Sequence, residues 1–324
     1  MGDRLFRRLT GPLCSALAAV MTAGGLSGAA MAGDYAYDWL ENPFSATLPD
    51  TLFEDSGEAR FDKAGRVFVE SMSGIGTELG DIFSFPLRDP ATFGAFALGV
   101  GALVLVDRPM TEAYQAAFLP IGERFDLPKL VDIDNFTIDA QYLGLGLAGT
   151  YAYGLAANDE RAQVAALLSA KAVAYSYLTS HLLLKTGFGR VRPVRDLAGH
   201  QGPTGDFTTS PFDFFQSTGV HFDTHAYATA MPSFHFTLYF STARVVSGVY
   251  DNYLVPYSLA AVLALQSAEG HNHWVSDMVA GALIGTGIGN VILNNYEDRR
   301  GGIDMSFAPI MSSRGAGVGF QVRF

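Results

Sequence analysis

The sequence predicts an all-α fold, an antiparallel helical bundle of about six core helices with a short C-terminal β-hairpin. Six apolar runs rich in Ala, Leu and Gly lie at about residues 91–106, 142–157, 162–184, 236–250, 253–268 and 275–294. Several are joined by very short links, such as Asn158-Asp-Glu-Arg161 and Asp251-Asn252. Long apolar runs joined in this way pack as antiparallel helical neighbours. Of the 324 residues, 49% are hydrophobic and 16% charged, an excess that a thick helical core or a membrane must absorb.

Residues 1–32 read as a signal peptide. Arg4, Arg7 and Arg8 form a basic start, Leu13 to Met21 an apolar stretch, and Ala30-Met-Ala32 a small-residue cleavage site. Gly24, Gly25 and Gly28 stop the apolar run short of the ~20 residues an anchor helix needs. Cys14 is the one cysteine, so the exported chain has no thiol or disulfide to lose in an oxidising periplasm or cell envelope. Removing the leader's three arginines and Asp3 takes the formal charge from −11 to −13. Such a surface excludes nucleic acid as a partner, because phosphate backbones demand a basic face.

Residues 33–90 form an amphipathic extension broken by Pro43, Pro49 and Pro86, with one helix expected over Phe61–Phe85. Residues 91–295 hold the helical domain. Most of its segments are shorter than the ~20 residues of a spanning helix, and Lys171 sits in the middle of the longest. If all six spanned, the loops with the polar motifs would face inward from an exported chain. A helical domain outside the membrane, in contact with it at most through dipping segments, is the better reading. In residues 296–324, Met305, Phe307, Val318, Phe320, Val322 and Phe324 alternate around Ser312-Ser-Arg-Gly315, the pattern of a hairpin.

Three polar blocks interrupt this apolar background. The first is Lys185-Thr-Gly-Phe-Gly-Arg190-Val-Arg192-Pro193, which offers fixed charge to the equatorial oxygens of a transferring phosphoryl group. Gly187 and Gly189 are expected to let backbone approach a ligand. The second is Pro232-Ser-Phe-His235 ahead of an apolar helix. There Ser233 can cap the helix or bond an anion, and His235 stands where it can protonate a leaving oxygen. In the third, His273 and Asp277 are four apart, as a helix face would bring them together. A carboxylate on one ring nitrogen leaves the other free as a nucleophile.

In order and spacing these blocks resemble the type 2 phosphatidic acid phosphatase superfamily, which includes lipid phosphate phosphatases, bacterial class A acid phosphatases and vanadium haloperoxidases. The family pattern is Lys, six residues, Arg-Pro; then Pro-Ser-Gly-His; then Ser-Arg, five residues, His, three residues, Asp. Lys185, Arg192 and Pro193 match the first, Pro232, Ser233 and His235 the second, and His273 and Asp277 the third. The resemblance covers about residues 90–295. It implies a metal-independent phosphomonoesterase with no cofactor, in which His273 attacks phosphorus and Asp277 orients it. His235 would protonate the leaving group, while Lys185, Arg192 and Ser233 hold the phosphate. Arg190 is added as a third phosphate-binding cation on the same stretch.

Two positions depart from the pattern. Phe234 replaces glycine, as in some relatives that transfer head groups, and Gln266-Ser267 stand where the family has Ser-Arg. Losing a charged donor to the transition state costs on the order of 10²–10³ in rate, so a phosphate-binding but catalytically eroded chain is the main alternative. Arg190 and Arg244 are candidates to replace the arginine. A head-group phosphotransferase is a further alternative. So is a metal site built from His221, Asp223, His225, Glu269, His271 and His273. The long loop of 194–230 carries Phe207, Phe212, Phe214 and Phe215. As the wall of an apolar pocket, these favour a lipid-linked phosphate ester as substrate.

Overall fold

Local chemistry sets the helix boundaries. Pro90 opens one helix after Asp89, whose carboxylate accepts from the Thr92 N–H at 3.0 Å, and Asp159 caps another through Ala162 N at 3.1 Å. Asn158 and Asp251, both at positive φ, end helices. The structure, a computed structural model, describes residues 46–54, 57–122, 124, 127–132, 137–222, 227–270, 272–301, 304–312 and 315–323, without the side chains of 122, 265–270 and 301–323. The expected signal peptide lies outside the described residues.

The described residues are mostly helical. In chain order they form α1 (Arg60–Met72), α2 (Ile75–Arg88), α3 (Pro90–Leu105), α4 (Asp107–Gly122), α5 (Ile138–Ala157) and α6 (Glu160–Ser176). The last continues through a π-helical stretch, Tyr177–Leu184, into one α-turn, Lys185–Phe188. Then come α7 (Phe234–Tyr250), α8 (Leu254–Gly270) and α9 (Val275–Gly301). Two strands, β1 (Asp304–Ser312) and β2 (Gly315–Arg323), pair antiparallel with Phe307 opposite Phe320.

Each of the six apolar runs falls on a helix, but there are more helices than six. The segment expected as one helix over Phe61–Phe85 is two, because Ser73 closes α1 and Gly74, at φ 75°, opens α2. Arg299 packs where a Gly74 side chain would stand. Helix α4 was not expected. Its first turn is polar and Pro109 and Pro120 fall within it, so it lacks the long apolar run of its neighbours.

The core is shared by Val67 of α1, Val164, Leu168 and Tyr175 of α6, Val245 and Val249 of α7, and Ile288, Ile292 and Tyr296 of α9. Lys171, anomalous for a membrane segment, is buried against the extension. Its ammonium donates to Glu78 at 2.8 Å and to the Ser71 carbonyl at 2.6 Å, while the Tyr175 hydroxyl donates to the other Glu78 oxygen at 2.6 Å. Burial pushes the Lys171 pKa down to about 8. Among the described residues one helix, Val275–Arg300, is long and apolar enough to cross a membrane, and 72% of its most apolar window is buried inside the fold.

Helices α7 and α9 approach along a glycine stripe. A Cβ on Gly281 would collide with the Ser233 carbonyl, one on Gly285 with the Thr237 carbonyl, and one on Gly289 with the Arg244 side chain. Gly285→Ala is therefore expected to destabilise the protein by about 1–3 kcal/mol, as overpacking does. Gly99→Ala on α3, where a methyl group meets nothing within 4 Å, is expected to be neutral or stabilising by up to ~1 kcal/mol. Urea unfolding of both variants beside wild type checks the contrast.

Candidate active site

The first block leaves α6 through the π-helical stretch, a deviation often found at functional sites. It ends with Lys185 buried and Gly189 at φ 50°. A Gly189 side chain would strike the backbone of Gln216 and Ser217, and the Gly189 carbonyl accepts from Gln216 N at 2.8 Å. Its freedom therefore serves a turn against the loop rather than a ligand, and a Gly187 side chain would meet nothing within 4 Å. Residues 190–194 are then clamped from both sides. Ala230 N donates to the Arg190 carbonyl at 2.9 Å, Thr208 N to Arg192 O at 2.9 Å, and Trp274 Nε1 to Val191 O at 3.0 Å.

Arg190 does not serve a phosphate. Its guanidinium, with no exposed surface, uses all five N–H groups on protein. Nε and one terminal nitrogen donate to the Pro211 carbonyl at 3.1 and 2.7 Å. The same terminal nitrogen reaches Asp107 at 2.7 Å, and the other reaches Ser276 Oγ and Asp277 Oδ1, both at 2.7 Å. Phe214 and Trp274 cover its faces at 4.7 and 5.2 Å. This corrects its expected place among the phosphate ligands: a guanidinium with no donor left cannot take another anion. Arg244 is tied elsewhere, to Ser247, Asn290 and the Ala46 carbonyl. It lies nine residues beyond His235 on α7, about 13 Å along the axis.

Ser233 is the N-cap residue of α7, yet its hydroxyl makes no capping bond. The Oγ is buried without a hydrogen-bond partner. The Ser233 N–H donates to the Asp277 carbonyl at 2.9 Å, which ties the second block to the third. His235 follows in the first turn and is buried. Phe234 turns its ring onto Tyr177 and His181, at centroid distances of 5.9 and 5.4 Å.

His273 sits just before α9 rather than on it, a correction to the helix-face reading. Trp274 immediately precedes the helix, and the Asp277 side chain reaches back to its N–H at 2.9 Å in the manner of a capping box. That same Oδ2 lies 3.5 Å from His273 Nδ1. Neither ring nitrogen of His273 makes a hydrogen bond of good geometry, although the Ala230 backbone lies near enough to favour its protonated form. From α4, Asp107 accepts from Ser276 N at 2.9 Å and Thr111 Oγ1 from Val275 N at 3.1 Å, so α4 caps α9.

The electrostatics follow from burial. Desolvation, then Arg192, pushes the Lys185 pKa well down, against the pull of Asp277. Desolvation first, then the charges of Lys185 and Arg192, holds both His235 and His273 well below the ordinary histidine range. Burial raises Asp277 while Arg190 opposes the rise. Lys185, Arg192, His235, His273 and Asp277 thus lie within electrostatic reach of one another. The Lys185 carbonyl accepts from Gly189 N at 2.8 Å, and its ammonium has no hydrogen-bond or ion-pair partner among the described residues.

In a comparison with protein families, residues 164–300 match the PAP2 superfamily. Residues 164–300 belong to that superfamily. No curated protein and no solved structure matches the chain. Phosphatases are prominent among PAP2 members, which supports a phosphoester hydrolase in general. Asp107 and Asp139, the acids that touch this site from α4 and α5, were missed by sequence reasoning. Each is a single carboxylate in a first helical turn, far along the chain from its partner, and no local pattern marks it. The side chains of Gln266 and Ser267, at the departed Ser-Arg positions, lie outside the described residues. So do Asp223, His225, His271 and the Glu269 side chain, named for a metal site. Among the described residues no group of three or more His, Cys, Asp or Glu is placed to hold a metal ion.

Of the loop aromatics, Phe207 lines a cavity of about 620 Å³ with Leu119, Val194 and His200. Phe214 stacks on Arg190, and Phe212 and Phe215 are exposed. Arg190→Met would leave Asp107 and Asp277 buried without their counter-charge, and a loss of about 3–5 kcal/mol in unfolding free energy is expected. Adding Asp107→Leu is expected to restore part of it, and chemical denaturation of the single and double variants measures both.

Proposed function

We propose that the chain is a metal-independent phosphomonoesterase that works through a phosphohistidine on His273. One observation carries the reading: a buried Lys185 lies within electrostatic reach of His273, whose Nδ1 side is occupied by Asp277, and Ser233, its hydroxyl buried without a hydrogen-bond partner, is tied through its N–H to the Asp277 carbonyl. Such a cradle suits an incoming anion. His273 Nε2, on the far side of the ring, donates its electron pair to phosphorus. The bond from phosphorus to the leaving oxygen breaks, and His235 delivers a proton to that oxygen. The Asp277 carboxylate balances the charge that appears on the phosphorylated ring. Neutral His235 then takes a proton from water, whose oxygen displaces His273 and releases phosphate.

The low pKa of His273 keeps the nucleophile unprotonated at neutral pH. For His235 the sign runs the other way, since its acid form is depleted as pH rises. For alkyl phosphates kcat/KM is therefore expected to fall from acidic toward alkaline pH. Phosphate release by the protein is expected to survive EDTA and to vanish in His273→Ala, assayed with p-nitrophenyl phosphate and a phosphatidate panel. Release from neither protein would shift the reading to a phosphate-binding, catalytically eroded chain. Transfer to an added alcohol in preference to water would mark a head-group phosphotransferase.

The substrate is proposed to be lipid-linked and the protein to work in the periplasm or cell envelope, against a membrane. The support is a pair of apolar surfaces. Helix α3 has no charged residue and exposes Phe93, Leu98 and Leu105, and α8 exposes Leu254, Val255, Leu259 and Val262. Flotation with phosphatidylglycerol–phosphatidylethanolamine vesicles is expected to carry the protein upward, and Leu98→Glu with Leu259→Glu to release it. A wild-type chain that stays in the dense fraction overturns the membrane partner.

A further inference from the structure

His235 has a carboxylate of its own. Asp139, buried in the first turn of α5, places Oδ2 3.5 Å from His235 Nε2. The buried Tyr239 hydroxyl, one turn beyond His235 on α7, donates to that same oxygen. Residue 139 precedes residue 164, where the match to the PAP2 superfamily begins, so this acid comes from a part of the chain the match does not reach.

The charges around His235 explain what such an acid does. Lys185 and Arg192 from the first block and His273 ahead of α9 all disfavour a proton on its ring, as does His181 from the π-helical stretch. Burial adds to them. A buried imidazole surrounded in this way seldom carries a proton to give unless a negative charge faces it. Asp139 is that charge, and Tyr239 fixes its direction.

We infer that Asp139, held by Tyr239, is the positioning residue that orients His235 as the general acid and opposes the loss of its proton. The inference rests on the phosphohistidine reading. In the protonated ring, Nε2–H faces Asp139 and Nδ1–H is the proton given to the leaving oxygen. After transfer the ring is neutral, Nε2–H still faces the carboxylate, and Nδ1 carries the lone pair that accepts a proton from water. The site then holds two histidine–aspartate pairs with different tasks. Asp277 serves a nucleophile that must be neutral, and Asp139 serves an acid that must be charged.

The test compares an alkyl phosphate, whose leaving group needs a proton, with p-nitrophenyl phosphate, whose leaving group needs little help. Asp139→Asn is expected to lose about 10–100-fold more kcat/KM on the alkyl ester than on the aryl ester, within the usual range of general acid catalysis. The alkaline fall of the alkyl profile should move to lower pH. Tyr239→Phe is expected to act in the same direction but less, and Asp139→Glu to recover part of the loss. Equal losses on both esters would reduce Asp139 to a structural role and overturn the inference while leaving phosphohistidine chemistry intact. Independently of turnover, the histidine proton resonances of the full chain, with His235 assigned from His235→Ala, should titrate at lower pH in Asp139→Asn. An unmoved His235 titration overturns the inference even if the protein releases no phosphate. A shifted titration in a protein without phosphatase activity would sink the phosphohistidine reading and leave the pairing of Asp139 with His235 standing.

Discussion

Arg190 lies buried between Asp107 and Asp277, and the arrangement of the site depends on that contact. Removing three charges from water is costly, and attraction offsets the cost only when hydrogen bonds satisfy what is left over. Here they do: every guanidinium N–H finds an oxygen, and two aromatic faces close over the plane. Through Asp277 the contact reaches His273, the proposed nucleophile, through Asp107 it fixes the start of α9, and through Pro211 it fixes the loop. Arg190 is thereby spent on the scaffold, while Lys185 and Arg192 of the same stretch are the proposed phosphate ligands. The same stretch of chain thus divides its cations between building the site and serving it.

This division marks the limit of what the residues reveal in order. Lys185, Arg192, Ser233, His235, His273 and Asp277 stand out because their spacing is local and their chemistry is of one kind. Six of the helices stand out because apolar periodicity survives without neighbours. Arg190 was legible as a cation but not as a spent one, since donors are used up by acids 83 and 87 residues away. Asp107 and Asp139 carry no local signature at all. Helix α4, whose polar face is turned onto α9 and the loop, shows no apolar run for the same reason.

Burial has opposite consequences for the two histidines. For His273, the proposed nucleophile, desolvation and neighbouring cations are helpful, since they keep a lone pair on the ring. For the acid they are a handicap, and a compensating charge must come from outside the three blocks. The fold meets these opposed needs by bringing in one helix for each: α4 reaches toward His273 through Asp107 and Arg190, while α5 reaches His235 through Asp139.

Gly281, Gly285 and Gly289 bring α7 and α9 into close contact, and His235 and His273, the proposed acid and nucleophile, are carried at the starts of those helices. On the proposed roles, the separation between acid and nucleophile is set by the scaffold, like the gap of a fixed jaw. Any opening and closing during turnover must be supplied by the segments around it. A lineage could then remodel the 194–230 loop and the Phe234 corner to admit new leaving groups without disturbing the chemistry, so selectivity and reactivity can drift independently.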